Sequence, residues 1–271
     1  MFYMMFFALP ALADSVLCCL ALIADNAQLS DVRFCVLDSE FTSEHLFELA
    51  LFNCSLASPP TKVASWFFRP GPEVKNPEMA LREFKKRQQR IGRVFTLGED
   101  SNYLNGTLLL DVVPALYEAV ENRVLVIHNK GADLNVLRKE LGTWGCTFPE
   151  DRVVCSMALA RRILWAEYDK ISRVGGAREW LTQDIVGELV GCPFLSVAKV
   201  RHRAFDDALH LAHVWIRLVE RAMRLGLRIN TVRDLTWLEG EQPSAVEAIL
   251  RDLTPFADEP PPDQVDPNSR G

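Results

Sequence analysis

The stretch Val32-Arg33-Phe34-Cys35-Val36-Leu37-Asp38-Ser39-Glu40 constrains this chain more than any other. Five of its first six residues are apolar, the composition of a strand covered on both faces of a sheet. Side chains alternate along a strand, so Asp38 and Glu40 fall on the same face, two residues apart, where the apolar run stops. A pair of carboxylates at such a place suits a hard divalent cation, which takes oxygen ligands. The same pattern also arises where a strand simply runs out into a polar loop. The pair therefore needs partners elsewhere in the chain.

With 271 residues and 49% hydrophobic content, the chain has ample material for one large core with extra ends. The seven cysteines include no C-x-x-C pair and no Cys/His cluster. That argues against structural zinc and for reduced thiols in a cytoplasmic setting. The net charge of −6 is unevenly spread: residues 239–266 carry eight acids and one base, and residues 1–238 balance to zero. A neutral body can still carry a local basic groove. Residues 1–24 are strongly apolar but hold Pro10 and Asp14, and the first basic residue is Arg33. A packed helix or an over-extended gene start fits this better than an export signal or a membrane anchor, so no membrane association is expected.

After the Asp38 strand, Leu46–Ser55 and Lys62–Phe68 read as a second and a third strand separated by a Pro-Pro turn, an antiparallel meander. Arg82 to Arg93 holds six basic residues and only Glu83 against them, which is either a solvated helix face or a set of phosphate contacts. Leu108–Asn122 reads as a helix with Pro114 in its first turn, followed by a short buried strand, Arg123–Ile127. The next residues, His128-Asn129-Lys130-Gly131-Ala132-Asp133, lead into Leu134, Leu137 and Leu141 at helical spacing. Asp133 therefore sits at a helix N-terminus just past a strand end, as an N-cap or as a partner for Asp38 and Glu40. Val153–Cys155 reads as a further strand, Met157–Trp165 as a helix, and Gly175–Val197 as partly helical. The strongest helix is Phe205–Leu225, with an apolar stripe from Ala208 to Ala222 and an arginine stripe, Arg217, Arg221, Arg224 and Arg228, away from it. Asp207 lies in its first turn and His202 in the approach to it.

Three segments thus set acids beside a strand end or a helix start. In order and spacing, F-C-V-L-D-S-E-F-T, V-I-H-N-K-G-A-D-L and H-R-A-F-D-D-A resemble the three motifs of the DEDDh group of 3′→5′ exonucleases, over roughly Val32 to Leu225. The resemblance implies an α/β, ribonuclease H-like fold: a central mixed β-sheet with an antiparallel meander, flanked by helices. It implies that Asp38, Glu40, Asp133 and Asp207 hold two divalent metal ions, Mg2+ or Mn2+, and that His202 is the general base. An imidazole with an ordinary pKa of about 6.5 is neutral at working pH and can take a proton from water. It implies metal-dependent removal of nucleotides from the 3′ end of mainly single-stranded DNA. RNA as the substrate and a non-catalytic nucleic-acid-binding or polymerase-associated module are the alternatives.

The chain also departs from that pattern. Phe41-Thr42-Ser43 stand where the family has Thr-Thr-Gly, and Ala132 replaces a Phe, leaving room that another side chain must fill. Phe41, Thr42 and Asn129 are candidate substrate contacts, Phe41 by stacking on a base. The expected organisation is an apolar extension (1–30), the exonuclease domain (31–228), a helical appendage (229–254) with an amphipathic Ser244–Leu253, and a disordered acidic Pro-rich tail (255–271). Nucleic-acid 3′ ends, DNA ahead of RNA, are the expected partner, with a polymerase or another protein as a further one.

Overall fold

The computed structural model describes residues 28–240 apart from 43–44, 72–73, 96–98, 151, 165–166, 168–180, 199 and 228. The apolar extension before Gln28, the Ser244–Leu253 helix, the tail and Arg228 lie outside the described residues.

Five strands form one sheet in the order β3-β2-β1-β4-β5: β1 (Phe34–Phe41), β2 (Leu46–Ser55), β3 (Ser58–Phe67), β4 (Val124–Ile127) and β5 (Val153–Cys155). β1, β2 and β3 pair antiparallel, while β4 runs parallel to β1 and β5 parallel to β4. This is the ribonuclease H-like arrangement, an antiparallel meander on one side of β1 and parallel strands on the other. The Pro-Pro pair does not form the turn. The chain reverses at Leu56-Ala57, and Pro59 and Pro60 lie inside β3. They are tolerated there because β3 is an edge strand, where a missing N–H costs no ladder bond.

Helices cover both faces, as the apolar runs of β1 and β4 require. On one face Phe34, Val36, Ala50, Phe52, Val124 and Val126 pack beneath α7 (Ala204–Arg224), whose fully buried Trp215 meets Phe34 edge to face at 5.3 Å. On the other, Cys35, Leu37, Leu49, Leu51, Leu125 and Ile127 meet α3 (Leu109–Val120) and α4 (Lys130–Thr143). Pro114 falls in the second turn of α3 rather than its first. A smaller cluster joins Phe47 to α1 (Pro77–Arg90) and α2 (Asp100–Leu104) through Leu81, Phe84 and Tyr103. α5 (Ser156–Ile163) follows β5, and the weakly patterned stretch after it contains α6 (Gln183–Leu189) and a short 3-10 turn at Phe194–Ser196. The last described helix, α8 (Val232–Gly240), buries Val232 and Leu235 in the same layer as α7. Among the described residues no helix is long and apolar enough to cross a membrane.

Candidate metal centre

Strand alternation carries the row Phe34, Val36 onward to Asp38 and Glu40, so both carboxylates lie on the α7 face at the C-terminal end of β1. α7 starts at that end and sets Asp207 in its first turn. Donor atoms of Glu40, His202 and Asp207 all lie within 4.8 Å of one another. Parallel β4 ends at Ile127, in register with Leu37, and α4 begins three residues on. That short connection brings Asp133, buried in the first turn of α4, to the same sheet end. Asp133 is not an N-cap; that position belongs to Asn129. Ser39, between the two acids and on the opposite face, donates its hydroxyl to Asp133 Oδ1 at 2.5 Å. The alternation of D-S-E therefore does two jobs at once, aiming two acids at α7 and tying a third from α4.

The four acids share an unfavourable field. Burial, and then the charges of Asp207, Glu40 and Asp133, raise the Asp38 carboxyl well above the usual range. Glu40 is raised by burial, Asp207 and Glu48, against a hydrogen bond from Gln88 that favours its charged form. Burial pushes Asp133 up to about 7, and burial and then Asp184 push Asp207 to about 7. Carboxylates raised by burial and by neighbouring acids fit hard divalent cations, which supply the missing positive charge. Burial lowers the His202 imidazole, opposed by Asp184 and by a hydrogen bond to the Ile91 carbonyl. The His202 backbone is left-handed, with φ 58°.

A second set of buried charges lies beside the first, and the sequence reading did not assemble it. Glu48 of β2 stands directly across from Glu40, two like charges in register that are unfavourable by themselves. Arg93 resolves this: its Nη2 lies 2.6 Å from Glu48 Oε1 and 2.5 Å from Glu99 Oε1, and its Nη1 donates to the His202 carbonyl at 2.7 Å. Tyr103 donates its hydroxyl to Glu48, whose other oxygen accepts from the Ala204 N–H at 3.2 Å. Glu48 and Arg93 thus hold the backbone on either side of Arg203, where the His202 loop becomes α7. The one available signal was a lone acid inside the apolar run Leu46–Phe52.

The remaining sequence candidates are dispersed. Phe41 packs at the edge of the α3 and α4 layer with the Arg87 guanidinium 5.6 Å from its ring centre. Thr42 is engaged in its own turn: its N–H donates to the His45 carbonyl at 2.9 Å and its hydroxyl accepts from the His45 N–H at 3.0 Å. Asn129 is exposed and left-handed, with no side-chain capping bond. Ala132 is partly exposed. His128, a motif neighbour, is structural: its ring nitrogens lie 2.9 Å from Ser156 Oγ and 2.8 Å from the Leu181 carbonyl. A concavity of about 460 Å³ lies away from the acids, lined by Val32, Arg33, Asn53 and Ser55.

No protein-family model matches the chain. A Mycobacterium tuberculosis protein provisionally described as a bifunctional exonuclease/endonuclease is 30% identical over 116 residues, 43% of this chain. That match spans 16% of the relative's own length. Among solved structures, the fold is similar to S. pombe Pop2p in its Mg2+- and Mn2+-bound form (12% identity, TM-score 0.43, 79% of this chain and 91% of that one). It is also similar to the nuclease domain of 3′hExo, a DEDDh family member bound to rAMP (13%, TM-score 0.42, 73% and 94%). A further likeness is to the cell-death related nuclease CRN-4 (12%, TM-score 0.39, 69% and 64%). The acid and histidine positions of the three motifs are all occupied by those residue types, and the departures at Phe41, Ser43 and Ala132 lie outside them.

Proposed function

We propose that the chain is a metal-dependent 3′→5′ exonuclease that removes nucleotides from single-stranded DNA ends. The observation that carries this reading is one sheet end where Glu40, Asp207 and His202 have their donor atoms within 4.8 Å, with Asp38 and Asp133 in the same field. In this reading Asp38, Glu40, Asp133 and Asp207 hold two divalent ions. Bound there, the ions supply Lewis-acid stabilisation of the attacking and leaving oxygens of a phosphodiester. His202 takes the proton of the attacking water, which requires a neutral ring. The burial that lowers its pKa favours that form at neutral pH. Ser39 fixes the Asp133 carboxylate, and Gln88 fixes Glu40. Phe41 offers an aromatic face to the terminal base, a contact that needs no sequence code. Thr42 and Asn129 flank the entry.

The test is a time course on 3′- and 5′-labelled single-stranded DNA and the matching RNA, with Mg2+, with Mn2+ and with chelator. Stepwise shortening from the 3′ end, abolished by chelator and in Asp38→Ala, with DNA cut faster than RNA, is the expected result. A faster rate on RNA moves the substrate assignment. Absence of shortening on every substrate by a folded protein overturns the enzymatic reading. In His202→Ala turnover nearly vanishes while oligonucleotide binding survives; wild-type rates there remove His202 from its role.

A further inference from the structure

We propose that the exposed stripe Arg82, Lys86 and Arg90 of α1 is the track on which the phosphate backbone of the single-stranded substrate lies. This rests on the exonuclease reading above. It deepens that reading by naming the surface that holds the strand upstream of its reacting end.

One face of α1 is fastened to the metal centre. Phe84 stacks on Phe47 of β2 with ring centres 4.3 Å apart, and buried Gln88 donates its amide to Glu40. The other end of that amide, Oε1, is buried without a partner among the described residues. Arg87 covers the ring of Phe41 at 5.6 Å, and Arg93, just beyond the helix, holds the His202 carbonyl. Contact with Glu40, Phe41 and His202 places α1 against the site at both β1 and the His202 loop.

The opposite face is exposed and cationic. Arg82, Lys86 and Arg90 recur every four residues and form one stripe about 12 Å long, enough for a few consecutive phosphates. Like charges at this spacing destabilise a helix, so a solvated face of an ordinary helix would interleave them with acids. Here none of the three has an ion-pair partner among the described residues, and exposed Glu83 makes no ion pair either. Some bases elsewhere are matched, Lys85 with Asp100 at 2.6 Å, Arg217 with Glu220 at 3.1 Å and Arg221 with Glu167, while exposed Arg33, Arg69, Lys75 and Arg224 have no ion pair among the described residues; what sets the stripe apart is its regular spacing on one helix face. The helix dipole favours cations only in the last turn, which accounts for Arg90 and leaves Arg82 and Lys86 unexplained. A regularly spaced polyanion explains all three.

The test compares wild type with Arg82→Gln/Lys86→Gln/Arg90→Gln on two substrates. One is a labelled single-stranded oligonucleotide; the other is the nitrophenyl ester of thymidine monophosphate, which has no upstream phosphates. For the oligonucleotide KM rises about tenfold and kcat stays within about twofold. The salt slope of log KM falls by about 2, the value for three lost single-strand phosphate contacts. Hydrolysis of the ester is unchanged. An unchanged KM and salt slope on the oligonucleotide overturn the proposal, and equal losses on both substrates overturn it as well. If wild type hydrolyses neither substrate, the exonuclease reading fails. Fluorescence anisotropy of the labelled oligonucleotide then tests the stripe by itself: a smaller salt slope in the triple variant upholds it, and an equal slope overturns it.

Discussion

Two sets of buried and half-buried acids lie side by side at one end of the sheet and meet opposite fates. Glu48 and Glu99 are bound by Arg93 and Tyr103 in a closed network, with every charge answered by a neighbour. Across one register step, burial and neighbouring acids raise Asp38 and Glu40, burial first of all raises Asp133 and Asp207, and the relief is partial, from hydrogen bonds of Ser39 and Gln88 and from the charge of Arg93 on Glu40. Buried charge is tolerable when it is paired and costly when it is not. The first set therefore reads as structure and the second as a place kept for cations from outside. The two sets meet at Arg203, where Arg93 holds the His202 carbonyl and Glu48 holds the Ala204 N–H.

The largest expected effect comes from breaking the closed network. Arg93→Met leaves Glu48 and Glu99 buried without their cation, and one-sided loss of a buried pair costs about 3–5 kcal/mol. Urea denaturation followed by circular dichroism measures this. A loss under about 1 kcal/mol would mean that the network is wet and that the contrast with the metal centre is false.

A third way to bury a titratable group is to keep it uncharged, as the neighbouring motif histidine does. Burial lowers His128 to about 4, below the ordinary 6.5 of imidazole. Protons then bind the unfolded chain more readily than the folded one. The stability held by the neutral ring is complete above pH 6.5 and is lost as pH falls towards 4. Relative to pH 8, the loss at pH 5 is about 2 kcal/mol. His128→Gln, compared with its own value at pH 8, shows a correspondingly shallower acid limb; an identical limb would show that His128 charges freely in the fold.

The positions legible in the sequence were those set by local period. Alternation put Asp38 and Glu40 on one face, the leucine spacing started α4 near Asp133, and the stripe from Ala208 to Ala222 announced α7. Each is a short-range rule, and each holds. Glu48 was not legible, because its role depends on the antiparallel register that sets it across from Glu40, and register is a property of two strands. In the sequence Arg93 is one more base in a basic run, since nothing local separates a cation bound for the interior from its solvated neighbours. The Pro-Pro pair misled for a related reason: it marks a turn unless the strand is an edge, and edges are known only once the sheet is assembled.

That junction at Arg203 allows a kinetic test of the closed network's second role. In Glu48→Gln the acceptor for the Ala204 N–H and the anchor for Arg93 are weakened while the four acids and His202 are untouched. A shifted His202 lowers kcat, by about tenfold on the scale typical of residues that orient metal-site groups, with KM unchanged. Single-turnover rates decide it. A change confined to KM would place Glu48 in substrate binding.

The smallest effect has the most decisive sign. In the metal-free protein at pH 8, Asp38→Asn removes one charge from a cluster in which Asp207, Glu40 and Asp133 all oppose it. An isosteric amide there stabilises the fold by on the order of 1 kcal/mol, while the corresponding cut in the Arg93 network destabilises it. Millimolar Mg2+ reverses the ranking, because a cation that binds the folded chain raises its stability by mass action and the variant has lost a ligand. Thermal unfolding of both proteins with chelator and with Mg2+ measures the crossing. If Asp38→Asn is destabilising without metal, the acids are already compensated inside the protein. The centre would then be a second closed network, and the difference in kind between the two sets would disappear.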